Sequence, residues 1–366
     1  MFNGFYKGKR VLVTGHTGFK GGWLSLWLDK MEASVWGLGL PAPTNPNLHE
    51  LIKSKCFTGE IECDVRNLDA LAAAVREVRP EVVFHLAAQP IVRLSYAEPL
   101  ETFHINAVGT ANVLEAVRRA ELPCVVIVVT SDKCYENREW EFAYRETDNL
   151  GGHDPYSMSK GAAELITQTW NKSFFKPNPK LGPVVTVRAG NVIGGGDYAA
   201  DRIVPDCVRA LLAKKPIAVR NPSAVRPWQH VLECLSGYLW LAARLGKETK
   251  ASPLVGPFNF GPQTSSRQPV VKLVTEFLKH WPGKWEDKSD PNSLHEAALL
   301  SLSIEKASAL LGWYPCWDFG ETIQRTALWY QKRHESSHAD MLGFSSAQID
   351  DYCKAAKEQD LSWTNS

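Results

Sequence analysis

Six consecutive β-branched residues, VVIVVT at 125–130, run directly into the polar triplet Ser131-Asp132-Lys133. An unbroken apolar run of this kind reads as a strand buried on both faces of a parallel sheet, since a half-exposed strand would alternate. The polar residues after it then emerge at the strand's carboxyl end, the edge where open α/β sheets bind ligands. Beyond a loop carrying Gly151, Gly152 and Pro155, the segment YSMSKGAAELITQTW has helical periodicity. Residues four apart share a helix face, so Tyr156 and Lys160 point the same way.

That pairing has a chemical use. A phenol with an ordinary pKa of about 10 is a poor base at neutral pH until a cation stabilises its phenolate. With Lys160 as the cation, Tyr156 can take a proton from a substrate hydroxyl while hydride leaves the same carbon, and Ser131 hydrogen-bonds the oxygen. Tyr and Lys at this spacing are otherwise an ordinary surface pair. The buried strand just before them is what favours the catalytic reading.

The rest of the first half repeats strand, turn and helix. RVLVTG is a short apolar strand, HTGFKG a turn and WLSLWLDKM an amphipathic segment. Gly15, Gly18 and Gly21 form GxxGxxG, whose spacing differs from the GxGxxG dinucleotide fingerprint but meets the same need: a tight turn, close backbone approach and a helix N-terminus for a pyrophosphate. A dinucleotide is expected there, although any tight strand-to-helix turn favours glycine. The second strand, near SVWGLGL, lacks the acid that commonly grips the adenosine ribose about 20 positions after the glycines. Gly37, Leu38, Gly39 and Leu40 stand in its place, with no arginine to favour a 2′-phosphate, so local residues leave NAD and NADP both open. Asp64-Val65-Arg66 follows another short strand, with Asp64 placed either to meet the adenine amino group or to cap the next helix. LDALAAAVREV reads as a helix leading through Pro80 into the buried strand EVVFHLAAQ, whose small terminal residues let a cofactor lie close. Asn106, in a helical stretch running to about Arg119, either braces the active site through its amide or faces water.

Length and charge limit the partners. At 366 residues the chain has room for about two domains. Its 41 basic and 40 acidic residues leave a net charge of +1, so no global field recruits nucleic acid or an anionic membrane. No uninterrupted apolar span reaches membrane length, and the start MFNGFYKGKR lacks the apolar core of a signal peptide; the protein is read as cytoplasmic. The eight cysteines are scattered, with no CxxC pair and no Cys/His clustering at metal-ligand spacing, which predicts reduced thiols and no metal. Cys124 and Cys134 are read as small packing residues.

TGHTGFKG, DVR, HLAAQ, NAVGT, TSDKCY and YSMSK follow the order and spacing of the extended short-chain dehydrogenase/reductase family, which the chain resembles to about Arg333. RAGNVIGGGD, RPWQHV, FNFG and LGWYP resemble the members acting on nucleotide sugars. TGHTGFKGGWL, VRLSYAEP and TSDKCYEN are similar to the CDP-glucose 4,6-dehydratase branch. The resemblance implies an α/β fold: a Rossmann-type doubly wound parallel sheet of about seven strands binding NAD, with a smaller C-terminal substrate-binding domain. The NAD-binding domain is expected at 1–188, with a returning segment near 228–260, and the sugar-nucleotide-binding domain at 189–227 and 261–366.

The same resemblance implies cofactor contacts from Gly15, Thr17, Gly18, Phe19, Gly21, Asp64, Val65, Leu86, Ala87, Ala88, Asn106, Thr130, Tyr156 and Lys160. Ser131, Tyr156 and Lys160 match the catalytic triad, and Asp132 matches the acid that protonates the leaving hydroxyl. Lys133 departs from the dTDP- and GDP-sugar dehydratases, which carry Glu there as the base for the C5 proton. The CDP-glucose enzymes share the lysine, which acts either as a base of depressed pKa or as an enolate stabiliser. Substrate contacts are expected from Gln89, Asn191, Arg202, Arg220 and Arg226. Two phosphates need forked donors, and RPWQHV makes Arg226 the strongest of the three arginines; scattered surface arginine is the alternative for the others. His230 is read as structural.

The expected activity is dehydration of CDP-glucose to CDP-4-dehydro-6-deoxyglucose by internal hydride transfer, for deoxysugar biosynthesis of the O-antigen kind. The family also implies a homodimer or homotetramer, paired through the helices around 106–119 and 156–170. Three rivals stand beside this reading: a nucleotide-sugar 4-epimerase, which needs no acid at C6, another NDP-hexose 4,6-dehydratase, and a non-catalytic NAD-binding sensor or scaffold. In the second half, ECLSGYLWLAARL is a helix that packs back on the sheet, and SLSIEKASALLGWYP a helix stopped by glycine and proline. The tail SSHADMLGFSSAQIDDYCKAAKEQ reads as polar, with one modest helix and no chemistry.

Overall fold

The computed structural model describes residues 1–290, 299–336 and 339–365. Its strands in chain order are β1 (Arg10–Thr14), β2 (Ser34–Gly39), β3 (Gly59–Glu62), β4 (Val82–His85), β5 (Val125–Val129), β6 (Val184–Ala189), β7 (Val192–Ile193), β8 (Ile217–Val219), β9 (Val225–Pro227), β10 (Gln229–His230), β11 (Phe258–Phe260), β12 (Arg267–Pro269) and β13 (Trp285–Asp287). Seven of them form one parallel sheet in the order β3-β2-β1-β4-β5-β6-β11. The order reverses between β1 and β4, and this switch point opens a crevice at the carboxyl ends of the strands. The small pairs β7 with β10, β9 with β12 and β8 with β13 stand outside this sheet.

A parallel sheet must be covered on both faces, and the period-two alternation of its strands decides which face each residue serves. Val125, Ile127 and Val129 of β5 join one core with Trp23, Trp27 and Leu235. Val126 and Val128 join the opposite core with Val75, Leu114 and Val117. The first core is roofed by the helices Phe19–Lys30 and Val231–Leu245, the second by Leu68–Val78 and Gly109–Ala120. The chain thus returns to the sheet after the β6 region through Val231–Leu245 and adds β11 beside β6.

Two local expectations change. The helical stretch through Asn106 reaches Ala120 as expected, but with a break before it and a π turn inside it: Val92–Ala97 ends at Glu98, and Pro99–Phe103 runs on through the π turn His104–Val108 into Gly109–Ala120. Pro99 ends the first piece because the residue before a proline is driven out of the helical region. The tail is not a polar appendage either. Its helix, Met341–Glu358, buries Ile349 and Tyr352, and the turn after it buries Trp363. Trp363 stacks on Phe2 and Tyr352 and meets Trp27 edge-on, while Lys30 donates to Ser346 at 2.7 Å. Polar residues on one helix face concealed the apolar stripe on the other. The C-terminal helix therefore packs on the first helix of the nucleotide fold.

Candidate active site

β5 stops at Val129, and Thr130 and Ser131 carry the chain over the sheet edge into the short turn Asp132–Cys134. The Ser131 hydroxyl accepts the Lys133 N–H at 3.2 Å and donates to Asp132 Oδ1 at 2.9 Å. Opposite stands the helix Pro155–Trp170, with Pro155 in its first turn and the Asp154 carboxylate accepting the Ser157 N–H at 2.9 Å. Ser131, Asp132, Lys133, Tyr156 and Lys160 all line one cavity of about 620 Å³ at the switch point.

Burial governs the charges here. It pushes the Tyr156 phenol up to about 12, against the pull of the Ser131 hydroxyl and Arg202. Burial and the neighbouring Lys20 bring Lys160 down to about 8, and its ammonium donates to the Val129 carbonyl at 3.2 Å. Arg202 is thus one cation that favours the phenolate. Lys160 shares the face as expected, but its proton is tied to the end of β5. Asp132, 2% exposed, is lifted above the usual carboxyl range by burial, despite Lys133, Ser131, Arg226 and Lys20. Its Oδ2 is buried with no hydrogen-bond partner among the described residues, and a Cβ at residue 190 would lie 3.2 Å from it, so Gly190 leaves that oxygen open. A carboxyl so placed can hold and deliver a proton.

Asn191, Arg202, Arg220 and Arg226 line the same cavity, from the segments around β7 and β9. Arg202 pairs with Asp197 at 2.8 Å, Arg220 pairs with Asp201, and Arg93 approaches Asp201 at 3.6 Å. Arg226 is buried and donates to the Val225 carbonyl at 3.0 Å. These arginines converge rather than scatter.

At the other end of the cavity the residues fit a dinucleotide. Gly15 has φ +73° and its Cβ would lie 2.7 Å from the Ala87 nitrogen, while a Cβ on Gly21 would lie 2.2 Å from the Gly15 carbonyl. Gly18 caps the helix Phe19–Lys30 with no side chain, leaving the first N–H groups open toward a pyrophosphate. Thr17, Phe19, Leu86, Ala87, Ala88 and Thr130 line this end, as do Asp64 and Val65. Asp64 does not cap the next helix, a task taken by Asn67; its carboxylate accepts the Arg66 backbone N–H at 2.8 Å.

The relation to known proteins follows from the whole chain. Residues 11–253 match the model of the NAD dependent epimerase/dehydratase family. The chain belongs to that family. As a member it is NAD-dependent, which resolves the cofactor choice that β2 left open. It is 45% identical over 356 residues to the CDP-glucose 4,6-dehydratase of Salmonella typhimurium, covering 96% of this chain and 98% of that one. It is 26% identical to the dTDP-D-glucose 4,6-dehydratase of Mus musculus, covering 88% and 89%. Among solved structures, an epimerase of Methanothermobacter thermautotrophicus superposes with a TM-score of 0.77 at 23% identity, covering 91% and 96% of the two chains. The Bacillus anthracis dTDP-glucose 4,6-dehydratase in complex with NAD gives 0.73 at 21%, covering 89% and 97%. These two likenesses show the shared fold.

Two residues expected at the ligands, Gln89 and Asn106, turn their amides into the scaffold, and for Asn106 this is the bracing role, one of its two readings. Gln89 is outside the cavity lining: its amide donates to Thr102 Oγ1 at 2.9 Å and to the Ile91 carbonyl at 3.1 Å, and accepts the Ile91 N–H. Asn106 is also outside the lining; it accepts the Gln89 N–H at 2.8 Å and donates to Ser159 Oγ at 2.9 Å. Ser159 in turn donates to the Tyr156 carbonyl at 2.7 Å, so Asn106 braces the helix that carries the phenol. His230 is a helix cap, its Nδ1 accepting the Leu232 N–H at 3.3 Å between Trp23 and Trp317.

Sequence reasoning missed Lys20 and Arg93, which line the cavity, and the fully buried pair of Glu164 and Arg188 at 2.8 Å. Glu164 also accepts from Thr130 and Thr186 and sits one turn beyond Lys160. Continuing the four-residue spacing from Tyr156 through Lys160 would have found it.

Proposed function

We propose that the protein dehydrates CDP-glucose to CDP-4-dehydro-6-deoxyglucose. One observation carries the reading: Asp132 is a buried carboxyl lifted above its usual range, with one oxygen that has no hydrogen-bond partner among the described residues, in the same cavity as Tyr156. A 4-epimerase has no use for an acid at C6. Relatedness to the Salmonella typhimurium enzyme over nearly the full length of both chains supports CDP as the carrier.

Bound NAD supplies the two-electron acceptor and donor for the internal redox exchange. The remaining work falls to the chain. Tyr156, its phenolate favoured by the Ser131 hydroxyl and Arg202 against the cost of burial, takes the proton of the C4 hydroxyl while Ser131 holds its oxygen. Once C4 is a ketone the C5 proton is acidic, and Asp132 gives its own proton to the departing C6 hydroxyl. Lys133, half-buried in the same lining, acts at C5 as base or enolate stabiliser. Arg202, Arg220 and Arg226 hold the diphosphate, and Asn191 the sugar or diphosphate. Gly15, Thr17, Gly18, Phe19, Gly21, Asp64 and Val65 hold the dinucleotide, with Leu86, Ala87, Ala88 and Thr130 against it.

In this assignment residues 1–188 and 228–260 serve the cofactor, and 189–227 with the segment after 261 serve the substrate, except that the C-terminal helix supports the cofactor half. Exposed Leu100, Val108, Met158 and Leu165 on neighbouring helices support a homodimer or homotetramer. Eight free thiols support a cytoplasmic setting, and none of the described helices is long and apolar enough to cross a membrane. The product would enter deoxysugar synthesis of the O-antigen kind.

The test is incubation with glucose carried on CDP, dTDP, UDP or GDP, with and without NAD, followed by mass spectrometry. Loss of water from the CDP sugar alone is the expected result. An isobaric product inverted at C4 would make the protein an epimerase and remove the role of Asp132, and no product from any of the four would favour a non-catalytic NAD protein.

A further inference from the structure

Beside the nucleotide turn, three residues distant in sequence meet in a way that no linear spacing announces. His16 follows Gly15 in the turn after β1, His49 lies in the helix Leu48–Cys56, and Glu60 lies in β3. Both imidazoles aim Nε2 at the same carboxylate oxygen: His16 at 2.9 Å and His49 at 2.5 Å from Glu60 Oε1. The three potential ligand atoms all lie within 4.8 Å of one another.

We propose that His16, His49 and Glu60 bind a single transition-metal dication of the Zn²⁺ class, against the metal-free expectation from cysteine and histidine spacing. Two neutral imidazoles and a carboxylate are a donor set suited to that class, whereas Ca²⁺ and Mg²⁺ demand oxygen. The rings are held before any ion arrives. His16 is wedged against Gly37, where a Cβ would lie 2.4 Å from the ring, and both rings pack on Phe57, with centroids 5.2 and 5.6 Å away. His49 Nδ1 faces Glu50 Oε1 at 3.8 Å, an outer carboxylate on the side away from the ligand nitrogen. The Glu60 side chain is 38% exposed, which leaves the ion a route in and lets the carboxylate move back to coordination distance. The bound ion would tie the turn after β1, the helix and β3 together, so the site is structural and independent of the sugar-nucleotide reaction.

The alternative is a hydrogen-bonded cluster in which one carboxylate oxygen serves two imidazoles. The experiment uses the full-length protein, stripped with a chelator and titrated with Co²⁺, then Zn²⁺. The proposal expects visible d–d bands saturating at one Co²⁺ per chain, displaced by Zn²⁺, with Zn²⁺ raising the melting temperature. His49→Gln and Glu60→Gln should each weaken binding at least about tenfold, the lower end of what even loss of an outer partner costs. His104→Gln, at an exposed histidine outside the cluster, should bind as the wild type does. Should one cluster variant lose its circular-dichroism signature, the other decides. No saturable uptake by the wild type, or uptake equal in the wild type and a folded cluster variant, would overturn the site.

Discussion

The Ser131 hydroxyl donates to one oxygen of the Asp132 carboxyl at 2.9 Å and leaves the other, beside Gly190, buried without a partner among the described residues. The relation orients a proton donor in a buried corner of the cavity, where a carboxyl prefers its neutral form. Burial lifts Asp132, so the acid form persists above the ordinary carboxyl range and is lost as pH rises through its folded value.

Asp132→Asn should therefore lower the rate of water loss by about 10²–10⁴, the usual contribution of a positioned acid, while substrate affinity changes little. Mass spectrometry of the product and calorimetric titration of CDP separate the two. A variant that still dehydrates at near wild-type rate would remove Asp132 from the mechanism.

Arg226 is the buried member of the three converging arginines. Arg226→Ala should raise KM for CDP-glucose by about 10- to 100-fold, the value of hydrogen bonds to a charged group, with a smaller effect on kcat. Steady-state kinetics checks the split. A fall in kcat at unchanged KM would place this guanidinium at the reacting carbons instead.

Glu233 is fully buried on the helix Val231–Leu245 and receives the Cys316 N–H at 2.9 Å, the Trp317 N–H at 2.7 Å and the Tyr352 hydroxyl at 2.8 Å. Burial raises it to about 7 despite these donors. The folded state thus holds a proton that the unfolded chain has released, so the carboxyl's contribution is full below its unfolded value and is lost as pH rises through about 7. His85 and His230, held near 3 by burial, act in the opposite sense from about 3 to 6.5. The difference between wild type and Glu233→Gln isolates the carboxyl. Wild type should lose its stability advantage by up to a few kcal/mol between pH 5 and about 8 in chemical denaturation. A difference that does not vary with pH would show that Glu233 does not titrate there.

Gly15→Ala should abolish NAD binding and destabilise the fold by about 1–3 kcal/mol, because φ is +73° and the added Cβ would meet the Ala87 nitrogen at 2.7 Å. Fluorescence titration with NAD and thermal melting test this together. Wild-type affinity in the variant would mean that the turn can move without cost.

The sequence alone determined what depends on neighbours in the chain. Continuous β-branched runs specify doubly covered strands, and β5 spans Val125–Val129 with every residue buried. Pro155 and Asp154 start the helix that puts Tyr156 and Lys160 on one face. Tertiary structure alone decided what depends on side-chain direction and on contacts between distant segments. Gln89 and Asn106 stand beside the site in sequence order, yet their amides turn into the scaffold because buried backbone groups of the 89–91 loop need partners. Arg202, Arg220 and Arg226 converge because β9 and the helix after Arg202 fold over one crevice. His16, His49 and Glu60 meet because β1 and β3 flank β2, and no linear spacing encodes that adjacency. Local pattern fixes the backbone period, whereas convergence requires the packed sheet that brings the ends of separate strands to one edge.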